Sequence, residues 1–490
     1  MADQLVLALD LGTTSAKAVI FEQNGKLVAE AERMITSEYP KAGWVEQDAV
    51  EIERSAVGAI HDVITQAKVD AGQILTVSFS AAMHSLICVD QNVKPLSNVI
   101  IWADGRSSQQ AKELKQGNGA KIYKRTGLPN HPMSPLSNLI WMKETDFAPY
   151  KEATYFISAK EYVIYKWFGR RLIDYAMASA TGLFNMNTFD WDEEALAIAG
   201  IEAKQLSKIV PPTEILTGID QTIADEMGIS SEMPFVIGSA DGQLANLGSG
   251  AISPGEVAIS AGTSGAIRQM ISGFETSDQQ ETFCYAFTRD LSIIGGPTNN
   301  GGIALQWLKE LIEYEGSFDE LTAEAEKVDQ GADGLLFFPY INGERAPLWN
   351  QDAKGNFFGL SITHKKEHLV RAVLEGITFN LYHIGQALER QAGEPEKIFV
   401  NGGLARSPLW VQMLADVFGK DVYLSESHHS AAWGAAWTGL VALGKVESYE
   451  EIKKNIPIEA IIQPDQQRHE KYVEIFAKYQ AIVADLAQHF

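Results

Sequence analysis

The run Leu5-Val-Leu-Ala-Leu9 is apolar at every position and ends in Asp10, which predicts a buried strand. A polar turn, Gly12-Thr13-Thr14-Ser15, and a β-rich run, Lys17-Ala-Val-Ile-Phe21, come next, so the chain opens with a hairpin rather than a strand-to-helix loop. The same pattern returns as Glu256-Val-Ala-Ile-Ser260, Gly262-Thr263-Ser264-Gly265 and Ala266-Ile-Arg-Gln-Met-Ile271. The offset, 262 − 12 = 250, is about half of the 490 residues. Two similar halves are therefore expected, each opening with a hairpin whose turn presents backbone N–H and hydroxyl groups.

Between these hairpins, Met233-Pro-Phe-Val-Ile-Gly238 predicts a strand ending in Ser239-Ala-Asp241-Gly242, where Asp-Gly reads as a turn pair. The glycine-rich stretch from there to Ser253-Pro254-Gly255 reads as a hinge, which places a boundary near 247 and two domains at 1–247 and 248–490. Farther on, Ile398-Phe-Val-Asn401 predicts a strand, Gly402-Gly403 a tight turn and Pro408 to Phe418 an amphipathic helix. Gly301-Gly302 precedes another helix, with Ile303, Trp307, Leu308, Leu311 and Ile312 on the 3.6-residue period. Strands alternate with helices, so the class is α/β.

Composition narrows the partners. With 40 Lys+Arg against 63 Asp+Glu the net charge is −23, and the basic residues are scattered, which argues against nucleic acid. The two cysteines, Cys88 and Cys284, lack any metal-ligand or disulfide spacing. The opening Met-Ala-Asp-Gln-Leu-Val-Leu has no basic leader pattern, and no apolar run reaches the ~18 residues of a membrane span. A cytoplasmic protein without a membrane partner is expected.

Candidate chemistry clusters on glycine-containing turns, which let backbone N–H groups converge on phosphate. Four qualify: Gly12-Thr13-Thr14-Ser15, Gly262-Thr263-Ser264-Gly265, Gly301-Gly302 and Gly402-Gly403. Asp10, just before the first turn, is placed to hold Mg²⁺ through water, and Lys17 to reach a transferred phosphoryl group. Asp241 suits a base that accepts a proton from a substrate hydroxyl. Met83-His84-Ser85 and Trp102-Ala-Asp104-Gly-Arg106 supply an aromatic wall, a carboxylate and a cation of the kind that grips polyols.

These residues together resemble the FGGY carbohydrate kinases, from residue 4 to about 445. Asp10-x-Gly-Thr-Thr-Ser resembles that family's first phosphate motif, Gly238-x-x-Asp241 its catalytic aspartate, Ala261-Gly-Thr-Ser-Gly265 its second phosphate motif and Asn401-Gly-Gly403 its adenosine motif. Gly355-x-Phe357-x-Gly359-Leu360 followed by His368-Leu369-x-x-Ala372-Val373-Leu374-Glu375 resembles its longer signature. Arg125-Thr126-Gly127-x-Pro129 resembles the other, with Asn138 where a lysine is usual. The resemblance implies two actin-like (ribonuclease H-like) domains around a catalytic cleft, with ATP and Mg²⁺ used to phosphorylate a sugar acid or ketose.

Asp241 is then the catalytic base, with Met83, His84, Trp102, Asp104, Arg106, Asp241 and Gly242 on the substrate. Asp10, Gly12, Thr13, Thr14, Lys17, Gly262, Thr263, Gly301, Gly302, Gly402 and Gly403 lie on the nucleotide and its metal. The segments Ser80-Ala-Ala-Met-His-Ser85, His131-Pro-Met-Ser-Pro135 and Asp190-Trp-Asp-Glu-Glu194 resemble the members that phosphorylate gluconate, with xylulose as the alternative. A gluconate carboxylate requires a cation in the cleft, for which Arg106 and Arg345 are the candidates. A non-catalytic actin-like ATP-binding protein is the reading from another class, and a homodimer stays open.

Overall fold

The computed structural model describes residues 4–425 and 429–490, so the first three residues of the stretch read for a leader lie outside the described residues. Two central sheets share one plan. In the first, the strands run Ile215–Leu216, Phe235–Ala240, Ile74–Ala81, Leu5–Leu11, Ser15–Glu22, Leu27–Met34. In the second, they run Ile458–Ile462, Val422–Ser425, Lys397–Asn401, Glu256–Ala261, Gly265–Ser272, Leu291–Thr298, Phe283–Ala286. Each sheet joins a three-stranded antiparallel meander to two parallel strands and an antiparallel edge, and the second adds one strand. Both expected hairpins form: Leu11 pairs with Ala16 across the first turn, and Ala261 with Gly265 across the second.

Strand pleating sends alternate side chains to opposite faces. Leu5, Leu7, Leu9 and Leu11 therefore join a core that includes Ile52, Ala56, Ile60 and Val63 of helix Ala49–Ala67. Val6 and Ala8, with Val19 and Phe21, face a second apolar cluster. That cluster is built from Leu244 and Leu247 of helix Asp241–Ser249 and from Ala432, Trp433, Ala436 and Trp437 of helix Ser430–Ala442. A helix that follows the second sheet's strand Val422–Ser425 thus covers the first sheet.

Helix Asp241–Ser249 stands where the sequence suggests a turn and a hinge, and residue 247 lies within it. Its glycines serve contact rather than looseness. A Cβ on Gly248 would collide with the Ser430 carbonyl, and one on Gly434 with the Leu244 carbonyl, so the two helices cross backbone to backbone. Gly250, at φ 84°, ends the helix in the left-handed conformation open to glycine. The first half also carries a large insertion between Ala81 and Ile215, whose own apolar cluster includes Leu86, Leu136, Leu139 and Phe156. This insertion brings His84, Trp102 and Met133 to the rim of the first sheet.

Candidate active site

Between the halves lies a cavity of about 240 Å³. The first half contributes Thr13, Met83, His84, Trp102, Met133 and Asp241; the second contributes Ser260, Ser264, Arg268, Tyr285 and Arg345. Asp241 is the first residue of its helix, and one carboxylate oxygen accepts from the Gly242 N–H at 2.7 Å. Burial pushes its carboxyl up to about 6, helped by the like charge of Asp10 and opposed by Arg268. A carboxylate poised there matches a general base working near neutral pH.

Asp10 ends the opening strand, where its carboxylate accepts from Ser80 Oγ at 2.6 Å. Burial raises its pKa too. Among the described residues no group of three or more His, Cys, Asp or Glu forms a metal cage. Asp10 and Asp241, half-buried and each close enough to feel the other, still suit Mg²⁺, which uses few carboxylates and retains its waters.

His84 sits at φ 66° with Nδ1 2.7 Å from the Ala180 carbonyl. A carbonyl only accepts, so Nδ1 carries the proton. Burial holds the ring near 4, so it is neutral at physiological pH, and Nε2 is an acceptor 3.5 Å from the Tyr285 hydroxyl. Trp102 donates from Nε1 to Thr13 Oγ1 at 2.9 Å, tying the aromatic wall to the first glycine turn.

The structure corrects part of the expected substrate cluster. Asp104 and Arg106 are buried but do not line the cavity. Asp104 accepts from the Val45 N–H at 2.6 Å and from Arg106, whose Nη2 also reaches Glu46 at 2.7 Å. The Arg106 guanidinium lies over Trp44, 3.8 Å from the ring centre. Each finds its partner inside the protein, which leaves Arg345 as the sequence-derived cation that reaches the cavity. Gly242 does not line the cavity either; a Cβ there would come 3.1 Å from Arg268 Nε. Lys17 pairs with Glu30 at 2.9 Å and stands opposite Asp10 in the hairpin, outside the cavity lining.

Sequence reading missed Arg268 and Tyr285. The signal was present, since Arg268 is the lone charge on an otherwise buried strand, Gly265–Ser272. Tyr285 stacks on Phe283 with centroids 4.2 Å apart and gave no pattern of its own.

A second cavity, of about 520 Å³, opens beside the second hairpin turn. Gly262, Thr263, Gly302 and Gly403 line it, with Ile303, Leu305, Phe318 and Leu404 on its apolar side and Arg406 and Ser407 on its polar side. Three of the four expected turns converge here. Gly302 N–H donates to the Gly262 carbonyl at 2.6 Å. A Cβ on Gly301 would stand 2.6 Å from the Ser264 carbonyl oxygen, and one on Gly402, at φ 98°, 2.6 Å from that of Ala261. These glycines allow the turns to touch. The first turn, where Gly12 N–H donates to the Ser15 carbonyl at 3.0 Å, instead meets the smaller cavity through Thr13; Thr14 bonds to Ile35 through its carbonyl. The site is thus a cavity holding one carboxyl with a raised pKa, next to a larger, glycine-lined cavity on a helix N-terminus.

Residues 5–248 match the profile of the FGGY family of carbohydrate kinases, N-terminal domain, and residues 257–443 match its C-terminal domain. The chain belongs to this family. Its fold is the expected pair of actin-like, ribonuclease H-like α/β domains, and it is a carbohydrate kinase rather than a non-catalytic ATP-binding protein. A gluconokinase of Bacillus subtilis is 44% identical over 465 residues, covering 92% of this chain and 90% of that protein. A crystal structure of a gluconate kinase from Lactobacillus acidophilus superposes with a TM-score of 0.96 at 33% identity, over 99% of this chain and 98% of that one. A ligand-bound xylulose kinase structure from the same organism gives the same TM-score, identity and coverage. Backbone shape therefore does not separate the two names. No helix among the described residues is long and apolar enough to cross a membrane.

Proposed function

We propose that this kinase transfers the γ-phosphoryl group of ATP to the terminal hydroxyl of gluconate, giving 6-phosphogluconate, in the cytoplasm. The observation that carries this reading is the acceptor cavity itself, which holds one poised carboxylate and two arginines that, among the described residues, form no salt bridge. That charge pattern suits a polyol bearing a carboxylate better than a neutral ketose. The 44% identical relative named gluconokinase supports it.

In this reading residues 1–247 hold mainly the sugar and residues 248–490 mainly the nucleotide. Asp241 accepts the proton of the attacking hydroxyl. Met83, neutral His84 and Trp102 orient the polyol, His84 Nε2 accepting from one hydroxyl. ATP lies in the larger cavity with its phosphates on Gly262, Thr263, Gly301, Gly302, Gly402 and Gly403, and its γ-phosphoryl group directed toward Gly12, Thr13 and Thr14. Asp10 would hold Mg²⁺, and the ion would supply charge neutralisation on the phosphates. Lys17 adds a positive field from the strand behind. Closure of the halves excludes water, which otherwise competes with the sugar hydroxyl.

Xylulose is the second reading, kept by the equal likeness to the xylulose kinase structure. An ADP-release assay across sugar acids, ketoses and polyols decides between them. Gluconate should give the highest kcat/KM; rapid turnover of xylulose with none of gluconate overturns the substrate while leaving the kinase intact.

A further inference from the structure

Buried arginines in this protein usually find carboxylates. Arg106 pairs with Asp104 and Glu46, and Arg371 with Glu375 at 2.8 Å. Arg345, buried, and Arg268, half-buried, depart from this. Among the described residues neither forms a salt bridge, and both line the acceptor cavity. Arg268 makes one hydrogen bond, from Nη1 to Ser260 Oγ at 3.3 Å. Arg345 makes one through its side chain, from Nη2 to the Thr298 carbonyl at 3.2 Å, and its buried Nε has no partner. A guanidinium carries five N–H donors, so most of this donor capacity is unspent.

Placing two like charges together in a partly dry cavity costs free energy unless an anion compensates them. Asp241 lies within the field of Arg268 and Glu344 within that of Arg345, but neither carboxylate pairs with the guanidinium, and the Arg345 guanidinium lies 5.2 Å from the centre of the Trp102 ring. The Tyr285 side chain lines the same cavity and lies within the field of both cations. Space has been cleared for Arg268: a Cβ on Gly242 or on Gly295 would each press against its side chain at 3.1 Å.

We propose that Arg268, Arg345 and the Tyr285 hydroxyl form a carboxylate subsite that makes this kinase select sugar acids. This rests on the sugar-acid reading of the same cavity. A carboxylate accepts from both guanidinium groups and the phenol, and relieves their mutual repulsion. All three donors stand on the second half, whereas Asp241 and the polyol-orienting residues stand on the first. The substrate therefore spans the cleft, its carboxylate on the second half and its polyol on the first.

The test is steady-state kinetics of Arg268→Met, Arg268→Lys and Arg345→Met with gluconate, alongside the wild-type acceptor panel. Arg268→Met and Arg345→Met should each raise the gluconate KM by about 10²-fold with a much smaller fall in kcat, and Arg268→Lys should recover part of that KM. A fall in kcat with KM unchanged, or no recovery by lysine together with normal KM in Arg345→Met, overturns the subsite. If wild-type enzyme ignores gluconate but phosphorylates another sugar acid, with the same KM response in the variants, the subsite stands and gluconate falls. If wild-type enzyme accepts only neutral sugars, both fall.

Discussion

Strands Leu5–Leu11 and Glu256–Ala261 hold the same place in two sheets of the same plan, and both their turns reach the smaller cavity, through Thr13 and Ser264. Their chemistry has diverged. The residue before the last of the first strand is Asp10, a carboxylate; in the second it is Ser260, a hydroxyl that accepts from Arg268. The helix after strand Phe235–Ala240 begins with Asp241 in the first half, and the helix after the matching strand Val422–Ser425 begins with Ser430 in the second. The carboxylate that lines the acceptor cavity thus lies on one copy of the scaffold and the two arginines on the other. A duplicated frame supplied two matching rims, and opposite charge made them a site.

The largest break in that asymmetry comes from removing the acid. Asp241→Asn keeps the volume but not the proton acceptor, so turnover should fall by roughly 10²–10⁴ with ATP affinity nearly unchanged; near-normal turnover would reject Asp241 as the base. Next comes the cation that faces inward on the acidic half. Arg106→Met leaves Asp104 buried without its partner, and denaturant unfolding should show a loss of about 3–5 kcal/mol. The folded fraction should keep its gluconate KM, and a large selective KM rise would return Arg106 to the substrate.

The helix crossing allows the halves to be compared directly. Gly248→Val and Gly434→Val each insert a side chain into the backbone contact from opposite sides, so both should lower stability by about 1–3 kcal/mol or more. A loss in one and not the other would show that the crossing is not shared.

The smallest effect is in pH. Because Asp241 titrates near 6 when folded and at an ordinary 3.8 when unfolded, the native state binds that proton more tightly. The ionised form therefore costs stability above pH 6, and the cost disappears below about 4. Asp241→Asn should accordingly stabilise the protein by about 1–3 kcal/mol at pH 8 and by nothing at pH 4, seen as a pH-dependent shift in melting temperature. In the wild type, kcat/KM for the sugar should decline below pH 6 with a slope of one.

Much of the frame was legible in the chain. The half-length repeat, both hairpins and the helix Pro408–Phe418 follow from period and turn residues, because those signals are local. Helix Asp241–Ser249 was not, since its glycines mimic a flexible linker until Ser430 and Leu244 are seen against them. The Trp-x-Asp-x-Arg grouping split for a similar reason. Spacing cannot tell a side chain that points into a cavity from one whose partner, here Glu46, arrives from about 60 residues earlier. Arg268 went unread because a single arginine in a strand acquires meaning only from the empty space beside it.

The exchange of helices between the sheets has a consequence for synthesis. Val6, Ala8, Val19 and Phe21 pack in part against a helix that ends at Ala442, so a nascent first half emerges with this sheet face covered only by helix Asp241–Ser249. At about 5–20 residues per second, the stretch from 249 to 442 takes on the order of 10–40 s to arrive. Through that interval the ribosome-bound chain leaves part of an apolar β surface uncovered. For the same reason a gene cut at its midpoint should yield two insoluble fragments rather than two working modules.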